Sequence, residues 1–275
     1  MKPPFPLFQD RDGFPLQSLG DINRLPREEK ERLYARLIPD AIFDDFAVDR
    51  NTFCGRGGHR LVQFICPAGL GLLRIEVRRL PTDRDCLFFA EIADTPYRQI
   101  ELAFCLINDP EAPRYAIDSD ESGRDNCFGT LRRNLGEELR AMNAGLSPNQ
   151  VRRGLQLFSP FFQRLEAFVT SLCVDSIVAE PLSYNNAIRY EKYGFDYITG
   201  KQLMLWIDRE FQPGGCLFRR LDGSTPFRRP GMQQSVRGRS WAIHDGILER
   251  PWDGVRIYKV PGVDAGIDTF PDRKF

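Results

Sequence analysis

The chain has 275 residues, enough for one large domain or two small ones, and its 42% hydrophobic and 28% charged residues exclude a disordered or fibrous protein. Thirty-eight basic side chains balance 38 acidic ones, so the overall field does not mark a nucleic-acid binder. No apolar run reaches bilayer-spanning length and the opening MKPPFPLFQDRDG is not a basic-then-apolar leader, so the expectation is a cytoplasmic protein with no membrane partner.

Residues 1–60 read as an arm followed by a helix, both packed on a core. The arm is rich in proline and phenylalanine up to Gly20. Pro26 opens the helix, with Glu28 and Glu29 early and Arg32 and Arg36 late, as the helix dipole prefers. Ile42–Val48 is a candidate edge strand. Gly55-Arg56-Gly57-Gly58 lacks a strand-to-helix context and reads as a loop, with His59 beside it.

A β-rich section follows. Leu61–Cys66, Leu70–Leu80, Cys86–Ala93 and Arg98–Ile107 are apolar runs separated by turn residues such as Pro81-Thr82-Asp83 and Asp94-Thr95-Pro96. The last three form an expected antiparallel meander, and Arg114–Ile117 a further short strand. Helices are then expected over Leu131–Asn143 and Pro148–Phe158, the second opened by Ser147-Pro148 with Gln150 completing a capping box.

Ser159-Pro160 reads as the cap and first position of another helix. Phe161, Phe162, Leu165, Phe168, Val169 and Leu172 fall on one stripe of it. The apolar strand Ser176–Ala179 comes next, then a helix closed by Tyr193-Gly194-Phe195, then an expected strand Gln202–Ile207.

The C-terminal extension, 211–275, holds Arg219, Arg220, Arg228, Arg229, Arg237 and Arg239 with Asp222 the only acid among them. A solvated, turn-rich surface is the expected reading, phosphate binding the alternative. His244-Asp245 supplies a base and a carboxylate, but neighbours on a strand point to opposite faces. Trp241, Trp252 and the strand-like Val255–Val260 tie this tail to the core.

Cys54, Cys66, Cys86, Cys105, Cys127, Cys173 and Cys216 are scattered and form no C-x-x-C pair. Reduced thiols are expected, not a disulfide framework or a zinc site. With only His59 and His244 besides, no metal centre is expected.

Tyr190-Glu191-Lys192-Tyr193-Gly194-Phe195 resembles the Y-E-K-x-G-F signature of the GNAT superfamily of acyl-CoA-dependent N-acyltransferases. Glycine followed by an aromatic is also ordinary chemistry at a helix end. The order of helix 159–173, strand 176–179 and the following helix is similar to the third helix, fifth strand and fourth helix of that family.

The resemblance implies an α/β fold of GNAT type, a mixed twisted sheet with helices on both faces. It would span 61–210, with an insertion near 108–152, flanked by the extensions 1–60 and 211–275. It implies acyl-CoA as co-substrate, a small-molecule or peptide amine as acceptor, and no metal. Tyr190 would be the acid that protonates the departing thiolate. Glu101 or Glu91 would be the base, made effective by burial in an apolar run, with Glu180 a further option.

The chain departs from the family at its phosphate loop, Q/R-x-x-G-x-G/A. Arg153 takes the first position, but Gln156 and Phe158 stand where glycines are expected, and Pro160 removes a donor. Arg152, Arg153 and Gly154 are the candidates for a shifted loop, with the arginine side chains on the phosphates. At the family's asparagine and small-residue positions stand Ser183 and Asn186; a one-residue shortening brings Asn185 and Ala187 there instead. Asn185 and Asn186 are therefore candidate cofactor contacts, or a helix cap. The alternative function is a non-catalytic GNAT-like module, binding a ligand or a protein after losing the loop.

Overall fold

A computed structural model describes residues 7–126 and 132–271. Residues 1–6, Cys127 and Leu131, used above, lie outside the described residues. The elements begin with α1 (Leu19–Arg24), α2 (Arg27–Tyr34) and α3 (Asp40–Asp45). Strands β1 (Val62–Ile65), β2 (Leu72–Val77), β3 (Phe88–Asp94) and β4 (Gln99–Ile107) follow. Then come α4 (Leu135–Asn143), α5 (Phe158–Ser171), β5 (Ser176–Ala179), α6 (Tyr184–Glu191) and β6 (Asp196–Thr199). The series continues with α7 (Lys201–Glu210), α8 (Cys216–Arg219), α9 (Val236–His244) and β7 (Arg256–Lys259). The protein is mixed α/β, and the chain divides into two compact units.

The first unit comprises 1–111, 154–179 and 259–263. Its sheet runs β1-β2-β3-β4-β5, antiparallel up to β4 and parallel between β4 and β5. The meander expected from the sequence is present, and the β4–β5 pair is the parallel neighbour relation that a strand–helix–strand crossover requires. Alternation decides which face is covered: Leu73, Ile75 and Val77 on β2 and Phe88, Ala90 and Ile92 on β3 are buried.

Helix α5 covers that face. Every member of its expected stripe, from Phe161 to Leu172, is buried, and Phe161 meets Phe88 edge-on at 5.4 Å. Burial of each such side chain contributes about 1.5–3 kcal/mol. The N-terminal arm is tied down by the Phe8 N–H, which donates to the Ser171 carbonyl at 3.0 Å, and by the Phe8 ring against Phe168. Asp94, ending β3, accepts from the N–H groups of Leu19 and Gly20 at 2.9 and 3.0 Å, so it anchors the start of α1 to the sheet.

The second unit comprises 112–153, 180–258 and 264–275. Strands β6 and β7 pair antiparallel. One core cluster gathers Ile117, Ala141, Leu146, Val151, Phe227 and Trp241. A second centres on Arg239, which is 1% exposed. Its guanidinium is sandwiched by Phe270 and Phe211 and donates to Asp208 at 2.7 Å and to the Gln233 carbonyl at 2.7 Å. A buried arginine is tolerable because its charge is paired and its donors are used.

Several expectations are corrected. Gln202–Ile207 is not a strand but part of α7. Five consecutive apolar residues, Leu203 to Ile207, imitate a strand, yet the buried positions Met204, Ile207 and Phe211 have helical spacing. Ile42–Val48 is no edge strand, because α3 occupies its first half. Arg114–Ile117 is irregular chain and not a strand, with the Ile117 N–H turned back to the Tyr115 carbonyl at 2.9 Å. Residues 240–244 belong to helix α9 and not to a strand. Pro148–Phe158 is a turn and a loop until α5 begins. The capping-box contact does form, with Ser147 N–H donating to Gln150 Oε1 at 2.8 Å, but it closes a turn. Asn149 and Gln156 hold positive φ of 66° and 61°, which a helix cannot accommodate.

Candidate functional site

In the first unit, β4 and β5 pair only at Gln99–Ser176, Ile100–Ile177 and Glu101–Val178. Gln99 Nε2 donates to Ser176 Oγ at 3.1 Å, fixing the start of the pair. β4 then continues through Leu102 to Ile107 without a partner in β5. Opposite β3, Glu91 matches Phe104 while Ile92 matches Leu102, so Ala103 is the extra residue of a bulge. A bulge bends its strand and increases local twist, and this one lies two residues past the last β5 contact. From Ala103 to Ile107 no residue of this central strand is buried.

The crossover returns to the sheet at the same end. The Cβ of any larger residue at 154 would lie 2.7 Å from the Ile107 carbonyl oxygen, so Gly154 seats the chain directly on the end of β4. Helix α5 then starts after Gln156 in the left-handed region, with no side-chain cap and no acid in its first turn. Pro160 has no N–H and so offers that turn no donor. An uncapped start of a 14-residue helix favours an anion.

Both candidate carboxylates lie on the sheet face opposite α5. Glu101 holds the last position paired to β5 and is half-buried. Among the described residues it has no ion-pair partner. Glu91 is instead bound to Arg74, directly across on β2, at 2.7 Å. That ion pair distinguishes Glu91 from Glu101.

The remaining candidates belong to the second unit. Tyr190 is half-buried near the end of α6, its ring edge-on to Phe195 at 4.9 Å. Gly194 takes φ 75°, and the Phe195 N–H returns to the Tyr190 carbonyl at 3.3 Å. The ending therefore does act as a glycine helix terminus. Asn185 is buried in the first turn of α6 and bonded to Asn186 Oδ1 at 3.1 Å. Neither asparagine caps the helix, because Ser183 holds the cap position. Arg152 is half-buried and Arg153 exposed. Glu180 pairs with Arg256 at 2.9 Å.

A constellation missed at the sequence level is also in the second unit. His244 does not address Asp245; its Nε2 meets Glu138 Oε1 at 3.2 Å. Asp245 instead accepts from Arg133, Arg228 and Thr225 at 2.7–2.8 Å. Arg133 also binds Glu138, which is 2% exposed. Burial alone would raise the Glu138 pKa, but the bonds from His244 and Arg133 outweigh it and hold the carboxyl below the usual range. No sequence spacing announces contacts between residues more than a hundred positions apart.

Among the described residues, no group of three or more His, Cys, Asp or Glu is placed to hold a metal ion. No described helix is long and apolar enough to cross a membrane. No protein-family model matches the chain, and no curated protein or solved structure matches it either.

Proposed function

We propose that the chain transfers an acyl group from a coenzyme A thioester to an amine. The observation that carries this reading is the parting of β4 from β5 after Glu101, with a bulge at Ala103 and the uncapped start of α5 at the same end. The unpartnered edge of β4 offers backbone groups to the amides of a pantetheine arm, as a strand edge accepts any extended ligand. The Ser159 N–H and the dipole of α5 face the pyrophosphate. Arg152 and Arg153 add the side-chain donors that the sequence resemblance implies.

Glu101 accepts a proton from the acceptor ammonium, directly or through water. The free amine attacks the thioester carbonyl, and collapse of the tetrahedral intermediate expels the thiolate. Tyr190 protonates that sulfur, a role assigned on the resemblance alone. No covalent enzyme intermediate is required. The acceptor is a small-molecule or peptide amine.

The second reading, a binding module without catalysis, is favoured by one observation: Gln156 and Phe158 stand where the family has glycines, and Pro160 takes one donor from the helix start. A thermal shift series with acetyl-CoA and longer acyl-CoAs tests the first reading, because a ligand of the folded state raises the melting temperature by mass action. Stabilisation together with release of free thiol in the presence of amines supports transfer. Stabilisation without release, or no shift at all, moves the assignment to the binding module.

A further inference from the structure

The arginine-rich section divides sharply once its partners are known. Arg219 donates to the Gly214 carbonyl, Arg220 pairs with Glu249, Arg228 with Asp245 and Arg239 with Asp208. Of the six arginines of this section, Arg229 and Arg237 are the two with no acid or hydrogen-bond partner among the described residues, and both line one cleft of about 330 Å³. Met142, Met232, Ser235 and Trp241 contribute to its walls, and no lining residue is acidic.

The walls are fixed while the two guanidiniums are exposed. Trp241 Nε1 donates to the Leu146 carbonyl at 2.8 Å, and its ring stacks on Phe227 at 5.3 Å. Ser235 Oγ accepts from the Gly238 N–H at 3.0 Å. A Cβ at Gly238 would lie 2.3 Å from the Met232 carbonyl oxygen, so the turn before α9 and the helix itself are in close backbone contact. Two like charges lining one cleft favour a counter-anion, and walls already fixed lose little freedom on binding.

We propose that this cleft binds the phosphate monoester group of a small organic molecule. Two guanidiniums with no carboxylate nearby match a group close to two negative charges at neutral pH, and each can bind oxygens bidentately. Met142 and Met232 give the organic body an apolar wall. The volume lies at the small end of ligand pockets, roughly 300–1,000 Å³, which fits a single small molecule. The proposal stands independently of acyl transfer.

Calorimetric titration of the full chain with phenyl phosphate tests it, with phenyl sulfate and inorganic phosphate as controls. Phenyl phosphate is expected to bind, phenyl sulfate about tenfold more weakly because it carries one charge less. Arg229→Gln and Arg237→Gln should each weaken phenyl phosphate about tenfold or more, the range of charge-assisted hydrogen bonds, with the melting temperature unchanged. Absence of heat at about 10 mM probe overturns the proposal. So does unaltered affinity in the double variant, or equal affinity for inorganic phosphate, which means an adventitious ion only. Tighter binding of a single-stranded RNA oligonucleotide, lost in the same variants, overturns it in favour of a nucleic-acid surface.

Discussion

Thr269 donates both its backbone N–H and its hydroxyl to the buried carboxylate of Glu191, at 3.1 and 2.6 Å. Tyr197 adds a third donor at 2.5 Å. The last residue of α6 is thereby fastened to a segment 78 positions further along the chain.

Burial chiefly raises the Glu191 pKa, and the three donors pull against it without cancelling it. The fold therefore prefers the protonated form. Stability from this group is fully present below its ordinary value of 4.5 and is lost as pH rises through the raised folded value. Glu191→Gln removes the titration. The stability of the native chain relative to this variant should grow as pH falls from 7 to about 4.5, measured by urea unfolding at both pH values. A difference that shrinks on acidification contradicts the assignment.

Glu138 has the opposite sign. Its folded pKa is lowered, so its contribution is present above the ordinary carboxylate range and lost as pH falls through the lowered value. Arg133→Met leaves the nearly buried carboxylates of Glu138 and Asp245 without a shared cation. A loss of about 3–5 kcal/mol is expected, as for a broken buried pair. Acid unfolding should also begin at higher pH than in the native chain. Denaturant melts across a pH series check both effects.

Tyr190→Phe keeps the ring packing on Phe195 and removes only the hydroxyl. If Tyr190 is the acid, kcat falls by roughly 10²–10⁴-fold with stability nearly unchanged. A loss of about 0.5–1.5 kcal/mol in stability with the rate intact assigns the residue to packing instead. Kinetics and one melting curve distinguish the two results.

Gly154→Val should lift the crossover off the end of β4, because its Cβ would meet the Ile107 carbonyl. Overpacking of this kind costs about 1–3 kcal/mol. The thermal stabilisation by acetyl-CoA should diminish with it, since the start of α5 moves. An undiminished shift in a destabilised variant would place coenzyme A elsewhere.

What was legible in the sequence was what a short window contains. The stripe from Phe161 to Leu172 repeats through a whole helix, and the strands 88–94 and 99–107 are bounded by turn residues. The α7 segment hid its period behind Leu203-Met204-Leu205-Trp206-Ile207. Asn149 and Gln156 adopt left-handed backbone without being glycine, so nothing in the sequence marks the break they impose. Of the candidate site, Glu101 and Tyr190 are candidates on the family resemblance. Glu91 is paired with Arg74, a cross-strand neighbour that only the register reveals. Glu138 and His244 meet across 106 positions, beyond any local pattern.

The chain passes between its two units five times, and residues 259–263 return to the first unit after the long run 180–258 in the second. In that return, Lys259 reaches Glu166 at 3.7 Å and the Gly262 N–H donates to the same carboxylate at 3.2 Å. A ribosome emits these residues only after the whole run 180–258. The first unit therefore cannot finish before that run of the second has been made, however early its sheet forms. No single cut of the gene yields either unit whole, so expression of separate halves is expected to give insoluble product, and variation by exchange of contiguous segments is closed to this architecture.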